Sequence, residues 1–403
     1  MAILKFEDIK FSKSERGARG TFLQQFYFDI EKSELDMLGK WKLKADALEI
    51  EGSGSSIKKK FNFLLEQKLK ELKSAQGKEV VYVYEGFVPL IGSLYFGIID
   101  RNTNIIEVRP QTGCNLNCIF CSIDLCRRER DFVVSAEYLA KEAEKLAKLK
   151  LQKCKNVEIH INAMGEPLLY APLAELIKKL KKIKGVKTIS LDTNGSLLTE
   201  KKVDELVKAG TIRFNVSMNA FSSSTAEKIA GIAYPIEHVK KMCRYIAGKC
   251  DILLAPVWLH EINDSDIEWI IKFSKELAKI RPQQKVPFIG VQNFLEYEHG
   301  KKPVKQQSWE KFFEFLEKLE KKHKIKLKLS REDFGIVKCK VLEKPFKNGD
   351  VVEAEIVCDG MFKNEKLAVS EGRIISVHNC NKKGRIRAKI TRDKYNVFYG
   401  KLI

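Results

Sequence analysis

No stretch of this 403-residue chain approaches the roughly 18 to 20 consecutive apolar residues that a membrane helix needs. Its start, Met-Ala-Ile-Leu-Lys-Phe-Glu-Asp, has no long apolar run of the signal-peptide kind. No membrane partner is therefore expected. Acidic residues are too few to balance the basic ones, with 53 Asp and Glu against 73 Lys and Arg and a formal net charge of +20. Heat adaptation raises charge of both signs and does not explain such an imbalance. The excess favours a polyanionic partner, and a nucleic acid is the expected one. Residues 1–100 contain no cysteine, so no thiolate-held metal site can lie there. The ten cysteines further on are irregularly spaced and are expected to stay reduced in a cytoplasmic protein.

Three of those cysteines dominate the reading. Cys114, Cys118 and Cys121 stand as Cys-x3-Cys-x2-Cys, too tight and too odd in number for disulfides. Zinc or an iron–sulfur cluster remains. Zinc requires a fourth ligand, for which Cys126 is the one near candidate. A cubane [4Fe–4S] cluster held by three sulfurs instead leaves one iron open to a small molecule.

Patterning divides the chain into three. Residues 1–100 read as a small α/β domain, with strands at Phe22–Ile30 and Val80–Tyr84 and an amphipathic helix over Ser56–Lys73. Residues 101–335 alternate strand and helix. Strands are expected at Ile105–Arg109, Val157–Ile161, Thr188–Leu191, Ile212–Met218, Ile252–Trp258 and Phe288–Asn293. Helices are expected over Ala136–Lys150, Pro172–Ile183, Glu200–Ala209 and Ile236–Ala247, from Asn263 or Asp264 to about Ile280, and over Trp309–Lys322. Six consecutive βα units imply a parallel sheet, an open partial barrel with its chemistry at the carboxyl ends of the strands. Residues 340–403 give four to five short strands with glycine turns, a small closed β-barrel. The fold class is thus α/β: a partial (βα)6 barrel between a small N-terminal α/β domain and a C-terminal small β-barrel.

The strand ends carry the motifs. The second barrel strand runs into Met164-Gly165-Glu166-Pro167-Leu168, where Gly165 lets the backbone approach a ligand closely and Glu166 offers an acceptor to an ammonium group. The third ends in Asp192-Thr193-Asn194-Gly195, and the fourth in Ser217-Met218-Asn219. Ser217 and Asn219 share one side of a strand. The fifth is followed by Pro256-Val257-Trp258-Leu259-His260-Glu261-Ile262-Asn263-Asp264, and the sixth ends near Asn293.

In this order the motifs closely resemble the radical S-adenosylmethionine (radical SAM) superfamily over about residues 105–300. The resemblance implies a [4Fe–4S] cluster on Cys114, Cys118 and Cys121, with SAM bound at the open iron. It implies cofactor contacts from Phe120, Gly165, Glu166, Asn194, Ser217, Asn219 and Asn293. One-electron reduction of bound SAM then yields a 5′-deoxyadenosyl radical that abstracts a substrate hydrogen. The electron would come from a donor such as ferredoxin or flavodoxin. His260 and Glu261 depart from the family's glycine-containing turn, which leaves the loop geometry there open.

Gly349-Asp-Val-Val352, Glu371-Gly-Arg-Ile-Ile375, Gly384-Arg-Ile-Arg-Ala-Lys-Ile-Thr391 and a final aromatic strand, in that order, resemble the TRAM domain, an RNA-binding barrel appended to RNA-modifying enzymes. Gly372–Ile403 holds nine Lys or Arg and a single acid, Asp393. Arg385, Arg387 and Lys389 alternate along one strand face, with Arg373 nearby and Tyr395 and Phe398 as stacking surfaces for bases. The expected activity is modification of a nucleoside in structured RNA, tRNA foremost, by C-methylation. Methylthiotransferases place three further cysteines in an N-terminal domain, and residues 1–100 have none. Adenosine-methylating relatives need a methyl-carrying cysteine after the barrel, a role open to Cys339, Cys358 or Cys380. They also need a second one before it, which nothing here supplies. A protein, peptide or small-molecule substrate is the alternative.

Overall fold

The computed structural model describes residues 2–211 and 213–403. Its centre is one sheet in the order Asp251–Leu254, Arg213–Val216, Val186–Thr193, Val157–Ile161, Ile105–Arg109, Gly97–Asp100. The first five run parallel, and Gly97–Asp100 closes the edge antiparallel. The expected Ile212–Met218 strand opens on Ile212, outside the described residues, and is found over Arg213–Val216. Along these strands Ile106, Val108, Ile159, Ile161, Ile189, Leu191, Phe214 and Val216 are fully buried. The intervening residues are polar and meet one another inside the curved sheet.

The sixth strand differs from expectation. Only Gln292–Asn293 is strand, paired with Val257–Trp258, and one parallel bridge joins Leu254 to Ile289. Pro256 and Pro287 have no amide proton to give this ladder. The six-unit barrel is therefore five continuous parallel strands with a broken sixth.

Helices Ala136–Lys150, Leu173–Lys181, Glu200–Ala209, Ile236–Ala247, Asp264–Ile280 and Trp309–His323 follow the strands. Ser135 and Thr199 cap theirs by accepting from the Tyr138 and Lys202 amides. Asn263 does not cap its helix; its side chain donates to the Asn219 and Val257 carbonyls instead (2.7 and 2.9 Å). A further helix, Ser223–Ala230, fills the fourth crossover.

The N-terminal part is less separate than its composition implies. The expected Phe22–Ile30 strand is two, Gly17–Phe22 and Phe26–Glu31, because Leu23 and Gln24 turn through φ of 50° and 58°. The helix spans Gly54–Lys68 and Glu79–Val83 is the later strand. That strand pairs in parallel with Arg130–Val134, which lies just after the cysteines. Since Gly97–Asp100 already belongs to the main sheet, the domain boundary falls before residue 97. One apolar core runs through both parts, from Phe61 through Phe132 to Ile159.

Residues 351–402 form a closed five-stranded barrel in the order Val351–Asp359, Lys366–Ser370, Arg373–His378, Phe398–Leu402, Arg385–Arg392. Phe346, Ile375, Val377, Ile386, Ile390 and Phe398 make its core. The preceding linker is tied to the half-barrel by a disulfide between Cys154 and Cys339. This corrects two expectations: those thiols are not free, and Cys339 is no methyl carrier.

Candidate active site

The carboxyl ends of the parallel strands enclose a cavity of about 290 Å³ lined by all three motif cysteines. Phe120, Gly165, Glu166, Asn194, Ser217 and Asn219 line it as well. Seven separate expectations on four loops thus meet in one space, the cysteine triad counted once. Asn293 does not: its amide donates to the Gln307 carbonyl (3.0 Å), away from the cavity wall. The broken sixth strand turns that residue toward its own following loop.

Most of these polar groups are fastened to neighbouring loops. Glu166, 1% exposed, accepts from the Leu168 amide (3.0 Å), the Thr193 hydroxyl (2.8 Å) and the Asn194 amide (2.7 Å). Its own amide donates to the Gly113 carbonyl (2.8 Å), and its carbonyl accepts from Gln111 (2.6 Å). The carboxylate thereby ties the second strand end to the third, and the backbone of the same residue ties it to the first. Burial pushes its pKa up to about 7, against the pull of those three donors. A carboxylate accepts about four hydrogen bonds, so one acceptor position on Oε2 is open. A ligand ammonium there would supply the missing counter-charge.

Gly165 serves a different approach from the one expected. A Cβ on it would lie 2.0 Å from the Gly113 carbonyl oxygen and 2.5 Å from that of Thr112. The glycine lets the second loop press on the backbone leading into the cysteines. Asn194 donates to Asn115 Oδ1 (2.9 Å) and accepts from Ser196, so it holds the cysteine loop from the third strand. Asn219 accepts from the Val257 amide (2.8 Å) and clamps the fourth loop to the fifth. The position where the family turn carries glycine is Glu261, with φ of 67°, pinned by the Asp264 carboxylate accepting from its amide (2.6 Å). His260 lines a separate open pocket with Lys228, Lys301 and Lys302.

Burial holds the Cys114 thiol up at about 11 and Cys118 at about 12, and raises Cys121. Such thiols ligate only when a metal's charge draws their protons off. The donor set fits a cluster: three sulfurs on one cavity wall, with the Leu116 amide 3.5 Å from Cys114 Sγ. Among the described residues, no group of three or more His, Cys, Asp or Glu side chains converges on a single-ion position. Cys126 is exposed and does not line the cavity, so zinc finds no fourth ligand there.

Cavity residues not chosen as cofactor contacts from sequence include Asn162, Asp192 and Tyr234. Below them lies a charged lumen. Glu107 pairs with Arg101 (2.5 Å) and Arg109 (2.6 Å). His160 stands 3.3 Å from Asp192, which also accepts from Asn215 (2.8 Å), and Arg213 pairs with Glu158. Burial, the largest single influence, opposes the charged imidazole, but Asp192, Glu107 and Glu158 together outweigh it and lift His160 to about 9. The signal was present as strict alternation in Val157-Glu-Ile-His-Ile-Asn162, since a parallel strand buried on both faces would be apolar throughout.

The radical SAM superfamily profile matches residues 108–274. A Methanocaldococcus jannaschii protein of uncharacterised function is 37% identical over 81% of each chain. The chain belongs to the radical SAM superfamily. Its cofactors are accordingly a [4Fe–4S] cluster and SAM. GTP 3′,8-cyclase of Rhodopirellula baltica is 30% identical over 44% of this chain and 48% of its own. The Clostridium botulinum enzyme of that name is 26% identical over 44% and 54%. The chain spans about half the length of those cyclases. Among solved structures, SuiB of Streptococcus suis with bound SAM is 16% identical with a TM-score of 0.41, covering 81% of this chain and 72% of that one. TYW1 with a lysine–pyruvate adduct is 18% identical with a TM-score of 0.39, covering 55% and 74%.

Proposed function

We propose that this radical SAM enzyme modifies a nucleoside in structured RNA, tRNA foremost, with the C-terminal barrel as a TRAM-like RNA-docking module. When bound, the cluster and SAM supply the radical chemistry that removes a hydrogen from the substrate. The chain's own residues position that chemistry: Glu166 takes the ligand ammonium, Ser217 and Asp192 offer polar contacts, and Phe120 excludes water. The observation that carries the RNA reading is the strand Arg385–Arg392. Arg385, Arg387 and Lys389 stand exposed on it. The barrel attaches to the rest of the chain through other strands, by way of Ile374 to Ile91 and Phe398 to Gly92. The basic strand therefore faces solvent and is free to meet a polyanion.

Two stacking candidates fall away. Phe398 is fully buried in the barrel core, and Arg101 lies over the Tyr395 ring at 5.2 Å. Arg373 is half-buried beside the Gly372 carbonyl (3.2 Å). Glu353 and Glu355 stand opposite Arg387 and Arg385 across the ladder and offset part of the charge. The contact surface is thus narrower than the sequence implies. C-methylation through a carrier cysteine also finds no carrier: Cys339 is paired, Cys380 is buried in the small barrel, and Cys358 does not line the cavity.

A second reading, a small nucleotide as substrate, is favoured by the cyclase relatives' names. Nucleoside mass spectrometry on tRNA and rRNA from cells with and without the gene decides between them. The RNA reading expects one modified nucleoside to vanish with the gene. An unchanged profile would remove it and leave the nucleotide.

A further inference from the structure

The loop after the broken sixth strand lies across the cysteine loop and is tied to it along its length. The His299 carbonyl accepts from the Asp124 amide (2.7 Å), and the Lys301 amide donates to the Cys121 carbonyl (3.0 Å). A Cβ at Gly300 would sit 3.0 Å from that same carbonyl, so the strap rests on the cysteine backbone itself. Arg127 donates to the Glu298 carbonyl (3.2 Å). From the other side, the His299 ring stacks on Phe362 of the small barrel, with centroids 4.1 Å apart.

A strap held from both sides fixes the place of its cation. Lys301, 22% exposed, donates to Asn117 Oδ1 (2.5 Å) and the Asn117 carbonyl (3.2 Å), between Cys114 and Cys118. Its charge acts on Cys118 and Cys121, against the effect of burial. Asp124 stands 4.0 Å from it as a distant partial counter-charge.

We propose that Lys301 is a fixed cation that raises the reduction potential of the cluster carried by Cys114, Cys118 and Cys121. Reduction adds one electron, from a low-potential one-electron carrier, to a buried cluster already bearing three thiolates. A nearby positive charge stabilises the reduced form more than the oxidised form, and with Lys301 only 22% exposed, water screens it in part. Lys301 does not line the cysteine cavity, so it acts on the cluster through its charge as a positioning residue. The inference is independent of which molecule the enzyme modifies.

The test is an EPR-monitored redox titration of the full-length protein with its cluster reconstituted. At the wild-type midpoint, Lys301→Met is expected to lower the reduced-to-oxidised ratio about threefold or more, a tenfold change being 59 mV for a one-electron couple. Lys301→Arg keeps the charge and is expected to stay within about twofold of wild type. Asp124→Asn removes the opposing acid and is expected to raise the ratio. A wild-type midpoint in Lys301→Met would overturn the proposal. So would an equal shift in Lys301→Arg, which would show packing rather than charge at work. Should Lys301→Met fail to take up iron, Asp124→Asn decides alone, and an unmoved or lowered ratio there overturns it.

Discussion

The carboxyl ends of the half-barrel strands and the outer face of the small C-terminal barrel both carry polar residues, but they are built on opposite terms. At the cavity most polar groups are bound to another loop, as the carboxylate and backbone of Glu166 together join three strand ends and Asn194 grips the cysteine loop. On the small barrel Arg385, Arg387 and Lys389 stand in solvent, with Glu355 3.7 Å from Arg385 and Glu353 opposite Arg387 across the ladder. The first arrangement is rigid and costly to alter; the second contributes little to the fold and is free to act on a ligand. Residues that face a cofactor thus serve largely as braces for one another. Those that would face RNA serve nothing else.

The linker that joins the two regions offers the largest perturbation. The Cys154–Cys339 disulfide closes a sequence separation of 185 residues. Chain entropy alone gives such a link up to about 5 kcal/mol. Cys154→Ser with Cys339→Ser is expected to lower the denaturation midpoint strongly while leaving iron content intact. A midpoint equal to wild type would show that the linker does not depend on the link.

Gly165→Ala comes next. Its Cβ meets backbone oxygen at 2.0 Å, which no rotamer change can relieve. A loss of about 3 kcal/mol or more in apo-protein stability and poor cluster loading are expected, measured by denaturant titration and iron analysis.

Glu166→Gln sharpens the contrast through pH. Glu166 is raised in the fold to about 7 from 4.5, so the folded state holds its proton longer than the unfolded chain. Its contribution is full below pH 4.5 and declines as pH rises to about 7, a difference of about 3 kcal/mol at most. Apo wild type should lose stability over that window, and Glu166→Gln should flatten the slope. An identical slope in both would place the titration elsewhere.

Neutralising Arg385, Arg387 and Lys389 together to Gln should be the mildest for the fold, within about 0.5 kcal/mol. It should weaken tRNA binding and reduce the salt slope of log K by about three. A large loss of stability would break the comparison, showing that the basic strand holds the barrel together.

What could be read from sequence follows the same division. The cysteine triad, Gly165-Glu166 and Asn194 were legible because each lies on a short loop whose residue types are dictated by close approach. Five strands were legible from apolar periodicity. Asn293 was misplaced because Pro256 and Pro287 break a ladder whose partners are distant in sequence. Phe398 was misread as a surface because an aromatic in a short strand gives no sign of which face closes inward. The Arg130–Val134 strand escaped notice because its partner, Glu79–Val83, lies in what composition marks as another domain. The charged lumen was visible only as alternation in strands expected to be apolar, and its members meet only in three dimensions.

The most direct test of the account is iron and sulfide analysis with EPR on anaerobically reconstituted protein, beside the Cys114→Ala, Cys118→Ala, Cys121→Ala triple variant. The account predicts about four irons and four sulfides per wild-type chain, a reduced-cluster signal that changes when SAM is added, and neither in the variant. A single tightly bound zinc in wild type, with no SAM-dependent change in the spectrum, would contradict it.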